Sequence, residues 1–458
     1  MTGRLRDTLH RAADDLPGYQ VYERAVATAR RSRRRTAVGA AAAVVLVLCA
    51  LVLASLPGGP VAWVDVPAAS QAALPDRVGL PVIGTLRVTD RPRLGPAAVL
   101  FSGQASGLGT DGNSTVALVG AGADRYRVFT TGVEAPAGAQ VLLSPDGRRF
   151  AYPAGGPDGP RLGIVDLVSG RTRRLPSAVP GSVLTTPVGW SPDGRRVVVR
   201  DSEPVDAQRS GYESVLRIVD LDSGRWTRLG TGDSYDGFSV AFAPDGTRLA
   251  YQVGGRITVA DLNGRTLSQF DPAPGTALAG KGAWTPDGAS LTVVARQGDS
   301  WVLRYVDPVT GAARPGPGTA AVSGVTAIRL LGWRPDHSAL VVAYQPETAA
   351  PTRVDGERGL DQRTAYGNVR SVRVLSLAPG ASVPVTVLTA PEQVLAIDVA
   401  DNVIESGHVR GADPPTGVGP RFWFWSGVLV AVAAALLFGA YRLRRGRGRI
   451  RRWWRPRA

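Results

Sequence analysis

The side chains most often used for chemistry are scarce in this 458-residue chain, which has three histidines, one cysteine and a single lysine, Lys281, among 53 basic residues. A nucleophile needs a base within reach, yet His10, His337 and His408 are far apart in sequence. No two are close enough to suggest a metal pair. No G-x-S-x-G elbow occurs, and no α/β segment is present to carry one. Cys49 sits inside an aliphatic run and reads as a small hydrophobe, which excludes a disulfide framework or a multi-cysteine metal site. The repeated polar residue is an aspartate that follows proline: Asp146, Asp193, Asp245, Asp287 and Asp336. Five carboxylates could be taken for an acid–base set. Their fixed place after Pro and before Gly147, Gly194, Gly246 and Gly288 makes them turn formers instead, because Pro presets φ, Asp bonds nearby backbone and Gly accepts a left-handed conformation. His337 stands where the fifth glycine belongs, so that loop is expected to be strained or of another type. No catalytic residue, cofactor site or metal site is assigned.

The elements that hold these turns follow from their flanks. The turn prolines, Pro145, Pro192, Pro244, Pro286 and Pro335, are 47, 52, 42 and 49 residues apart, a period that belongs to four-stranded propeller blades. A large apolar residue precedes each turn: Leu143, Trp190, Phe242, Trp284 and Trp333. Apolar residues alternate after it, as in Phe150 and Tyr152 or Val197 and Val199, which is the pattern of a β-hairpin. The Trp column reads as inter-blade core rather than a sugar platform. A second hairpin follows in four units: LGIVDLVSGRTRRL, LRIVDLDSGRWTRL, ITVADLNGRTLSQF and LRYVDPVTGAARPG. Each unit is then strand a, PDG turn, strand b, loop, strand c, Gly turn, strand d.

This PDG spacing resembles the repeats of TolB-type, WD-repeat-like propellers over about 250 residues, although the WD dipeptide itself is absent. The resemblance implies an all-β propeller of six or seven four-stranded blades, seven being favoured; propellers host many activities, so it implies no function. In this count, residues 81–131 supply a blade without the turn, 394–407 form a worn a–b hairpin, and strands from 61–86 complete the last blade.

Charge is distributed unevenly. Residues 1–36 carry nine Arg and four acids, and residues 442–458 carry nine Arg and no acid, so the tails supply +14 of the net +15. The near-neutral middle excludes a nucleic-acid-binding domain. Residues 37–56 and 422–441 are each uncharged for 20 residues, about 30 Å as helix and enough to cross a bilayer. Arg33, Arg34 and Arg35 stop just before the first run, and Arg442, Arg444 and Arg445 begin just after the second. By the positive-inside rule both termini are cytoplasmic. The expected organisation is a basic tail (1–36), a transmembrane helix (37–56), an extracytoplasmic propeller (57–421), a second transmembrane helix (422–441) and an Arg-rich tail (442–458). The bias toward Arg over Lys fits a high-GC bacterium.

Loops that break the period are the binding candidates. These are 201–214 and the larger 345–369, with Arg353, Asp355, Arg358, Asp361, Arg363 and Tyr366. The expected function is a non-enzymatic, membrane-anchored binding or scaffold module without a cofactor, contacting membrane lipid and a protein, peptide or envelope polymer. Two alternatives stay open: an anti-sigma-like sensor whose N-terminal tail holds a cytoplasmic regulator, and a propeller enzyme using carboxylates alone.

Overall fold

The computed structural model describes residues 72–103, 114–156, 159–179, 181–205, 212–233, 238–346 and 369–453. The described residues fall into two units, one within residues 63–421 and one beginning at Phe422. The first unit is a ring of six four-stranded antiparallel blades. Blade 2 is Leu142–Leu143, Arg149–Ala154, Arg161–Asp166 and Thr172–Pro176. Blade 3 is Leu184–Trp190, Arg196–Pro204, Tyr212–Asp220 and Trp226–Asp233, and blade 4 is Phe238–Phe242, Arg248–Val253, Arg256–Asp261 and Thr266–Phe270. Blade 5 is Thr276–Leu278, Leu291–Gln297, Ser300–Val306 and Ala313–Arg314, with Val322–Ser323 also pairing its third strand. Blade 6 is Ala327–Trp333, Ala339–Pro346, Val369–Leu377 and Val385–Thr389.

Blade 1 is assembled from both ends of the unit. Its strands b, c and d are Ala97–Gly103, Thr115–Gly120 and Tyr126–Thr130, and its strand a is Val394–Val399, antiparallel to Ala97–Gly103. The count among the described residues is therefore six, where seven was favoured. Residues 394–407 are not a hairpin. After the strand, Asp401–Ser406 forms a short helix that ends at Gly407 with φ 66°. Nor do residues 72–86 build blade strands. Leu74–Pro75 instead pairs in parallel with Val409–Arg410, and Val78 N–H bonds Thr389 O at 2.9 Å, clasping blade 1 to blade 6.

Strands b and c are buried on both faces because each blade lies between two others. Phe150, Ala151 and Tyr152 are all buried, as are Val197, Val198 and Val199. The outermost strands are mostly exposed, for example Thr172–Pro176 and Thr266–Phe270. Residues 201–214 are less of a loop than expected: strands b and c of blade 3 extend through Pro204 and from Tyr212, with Asp201 opposite Val215. Likewise Gln345 and Pro346 belong to strand b of blade 6 and Val369 to strand c.

After the ring the chain continues as the helix Pro420–Trp453. Its segment Pro420–Gly439 is long and apolar enough to cross a membrane. The helix continues through Arg442, Arg444 and Arg445. One such helix is present among the described residues where two were expected; the first apolar run, 37–56, lies outside them, as do Arg33, Arg34 and Arg35.

Candidate functional site at the mouth of the ring axis

The turns that follow Leu143, Trp190, Phe242, Trp284 and Trp333 occupy the loops between strands a and b, on one face of the ring. Gly147, Gly194, Gly246 and Gly288 take φ of 68°, 65°, 66° and 66°, and His337 takes 63°, the only positive φ at a non-glycine among the described residues. The fifth loop therefore keeps the geometry of the others despite its side chain. The His337 N–H bonds Arg334 O at 2.9 Å, as the Gly147 N–H bonds Ser144 O. Each turn aspartate accepts from the N–H two residues on: Arg148 to Asp146 at 3.0 Å, Arg195 to Asp193 at 3.0 Å, Thr247 to Asp245 at 2.9 Å, Ala289 to Asp287 at 3.0 Å and Ser338 to Asp336 at 3.0 Å. These carboxylates are occupied by their own loops.

The tryptophans stitch blade to blade. Trp190 Nε1 donates to Leu142 O at 3.2 Å, Trp284 Nε1 to Ala241 O at 3.1 Å, and Trp333 Nε1 to Gly282 O at 3.0 Å. Arginine crosses the same junctions. Arg149 lies over the Trp190 ring and donates to Gly194 O at 2.8 Å, while Arg248 lies over Trp284 and donates to Gly288 O at 2.9 Å. A cation over an indole face adds to the packing.

The inner strands bring together a charged group across the ring. In blade 5 the chain leaves strand a as Gly280-Lys281-Gly282, where the inner strands of blades 5 and 6 pack backbone to backbone. A Cβ on Gly282 would lie 2.5 Å from Gly332 Cα. Between these glycines Lys281 projects to the far side, its Nζ 3.0 Å from Asp398 Oδ1, 2.8 Å from Asp401 Oδ1 and 2.5 Å from Val399 O. Asp398 is buried in strand a of blade 1 and accepts from Leu143 N of blade 2 at 2.9 Å and Val399 N at 3.0 Å. One carboxylate thus joins blades 1, 2 and 5. Arg329 of blade 6, also buried, donates to Ile397 O at 2.5 Å and to Gly138 O. Burial alone would lower the Lys281 pKa, but Asp398 and Asp401 outweigh it and hold it above the ordinary lysine value. The ammonium stays protonated, paired with both carboxylates and donating to Val399 O.

Beside this cluster opens a cavity of about 370 Å³. Phe242, Trp284, Trp333, Pro244, Pro286 and Pro335 supply its apolar wall, and Lys281, Arg334, His337, Asp401 and Glu405 its polar one. Arg334 is held by Gly407 O at the end of the short helix. Burial, with the neighbouring negative charge of Asp401, raises the Glu405 pKa above the usual carboxylate range. Glu405 makes no ion pair among the described residues and is free to meet a ligand.

Sequence reasoning did not find this cluster. Two signals were present: the chain's only lysine, set between glycines ahead of a PDG turn, and an aspartate within the apolar strand VLAIDV. The loop candidates Arg353, Asp355, Arg358, Asp361, Arg363 and Tyr366 lie outside the described residues. Among the described residues no group of three His, Cys, Asp or Glu side chains has the geometry to hold a metal ion.

No protein-family model and no curated protein matches this chain. Similar solved structures include an oligogalacturonate lyase from Vibrio parahaemolyticus, 15% identical, covering 68% of this chain and 78% of that one with a TM-score of 0.40. An oligogalacturonate lyase in complex with manganese is 16% identical, covering 68% and 97% with a TM-score of 0.37. TolB from Acinetobacter baumannii is 17% identical, covering 64% and 67% with a TM-score of 0.34. At such identities and scores the likeness carries no activity over to this chain.

Proposed function

We propose that this protein is a non-enzymatic binding or scaffold propeller. It would be anchored in a bacterial cytoplasmic membrane with its ring outside and both termini inside, recognising a protein, peptide or envelope polymer. The observation that carries the binding role is the axial cavity: a wall of aromatic and proline rings with a few polar groups, the usual make-up of a site that holds a ligand. Its lysine is locked by two carboxylates, so it lacks the free, deprotonated amine that covalent amine chemistry requires. The apolar helix directly after the ring supports the anchoring.

Photocrosslinking in intact cells from a probe placed at His337, followed by identification of the captured species, tests this reading. Capture of one partner, lost with Trp333→Ala, supports it. A probe that captures nothing, in a protein shown to be folded and surface-exposed, counts against it. The place of the Glu405 carboxyl in the cavity wall favours one second reading, an enzyme with Glu405 as general acid. Turnover of an acidic polysaccharide that disappears in Glu405→Gln would establish it.

A further inference from the structure

The residues just ahead of the apolar helix are held by a small turn on the ring. Gly419 N–H donates to Ile83 O at 2.7 Å and Arg421 N–H to Gly84 O at 3.0 Å. The backbones approach so closely that a Cβ on Gly419 would lie 2.4 Å from the Gly84 carbonyl. The turn itself is tight: Thr85 N–H bonds Val82 O at 3.0 Å, Thr85 Oγ1 bonds the same oxygen at 2.6 Å, and Gly84 takes φ 84°. At its tip Ile83 is 65% exposed, a branched apolar side chain offered to the surroundings by a rigid loop. Arg87 and Arg91 follow it, both exposed and without an ion pair among the described residues. Asp90 accepts from Arg87 N at 2.8 Å and pairs with Arg421 at 3.7 Å, tying the segment again to the base of the helix.

We infer that residues 82–91 are a membrane-surface foot, in which Ile83 enters the headgroup layer and Arg87 and Arg91 contact anionic phospholipid headgroups. The inference rests on the reading of Pro420–Gly439 as a membrane span. If that helix crosses the bilayer from Pro420, a residue bonded to Gly419 lies at the membrane–water boundary. Phe422, Trp423, Phe424 and Trp425 then occupy the interfacial layer that such aromatic rings prefer. An exposed aliphatic tip at that depth loses contact with water, and each nearby arginine gains from negative headgroups. Continuity with the apolar helix and the unpaired positive charge together select an anionic bilayer as the occupant.

The full chain, with Cys49→Ser, can be reconstituted in vesicles of phosphatidylcholine with or without phosphatidylglycerol. A single cysteine at position 83, 309 or 425 then carries an environment-sensitive fluorophore, and the vesicles contain a lipid spin-labelled near the headgroup. Val309 is an exposed c–d turn residue of blade 5 and serves as the reference. The foot requires quenching at 83 and 425 but not at 309. It also requires a loss of quenching at 83 with Arg87→Gln plus Arg91→Gln in the phosphatidylglycerol vesicles. Quenching at 425 without quenching at 83 overturns the foot and leaves the span. Absence of quenching at 425 overturns the span itself. Quenching at 83 that ignores both substitutions overturns the headgroup contact.

Discussion

At the scale of single residues, His337 shows what a turn demands of its occupant. A left-handed conformation costs a side-chain-bearing residue about 1–2 kcal/mol, part of which glycine returns as greater freedom in the unfolded chain. His337→Gly should therefore stabilise the ring by about 0.5–1 kcal/mol, measured by urea denaturation; an unchanged midpoint would mean the loop carries no strain. Lys281 shows the opposite case. Lys281→Met leaves the buried Asp398 without its counter-charge and should cost about 3 kcal/mol. Adding Asp398→Asn should recover part of that loss, because the uncompensated charge is then gone. Acid stability follows from the turn aspartates. Hydrogen bonds from Ser191 to Asp193, Thr247 to Asp245, Thr285 to Asp287 and Ser338 to Asp336 outweigh any burial and hold these carboxylates below their ordinary value. Groups with a lower pKa when folded contribute fully above about pH 4, and that contribution fades as pH falls through the folded values. Thermal scans should thus show a melting temperature that falls below about pH 4, and a flat profile there would remove this account.

At the scale of elements, the hairpins were legible because their turn chemistry is local. Pro, Asp and Gly act on adjacent backbone, so five short stretches announced five a–b loops. The environment of each loop was not legible. Gly147 and Gly246 share the same φ, yet a Cβ at 147 would lie 2.2 Å from Ala97 O whereas one at 246 meets open space. Gly246→Ala should cost about 1 kcal/mol through conformation alone. Gly147→Ala should cost about 1–3 kcal/mol more, since a clash is added, and equal losses in the two variants would contradict the packing around blade 1. Apolar alternation in strand b marked the hairpin, but not that both faces of the strand are buried, as Phe150, Ala151 and Tyr152 are. Pro346 and Val369 stand opposite each other, so excising 347–368 and joining the strands with a short glycine–serine turn should leave the melting temperature unchanged. Unfolding would show that the segment contributes to the ring.

At the scale of the whole molecule, reporter fusions test the proposed arrangement about a membrane. A reporter active only in the cytoplasm should work at either terminus and fail near residue 320; activity at 320 would reverse the topology. The blade architecture and the apolar segment before the C-terminal arginines were determined by the sequence alone, because they depend on period and length along the chain. Closure of the ring was decided only in three dimensions. Val394–Val399 completes a blade begun nearly 300 residues earlier, and no local signal separates that strand from the first strand of a seventh blade. The axial site has the same origin. Lys281, Arg329 and Asp398 come from three different blades, and nothing local to any one of them points to the other two. They become one charged group only when six inner strands converge on a common axis, where burial makes an unpaired charge costly and the opposite charge across the ring is within reach.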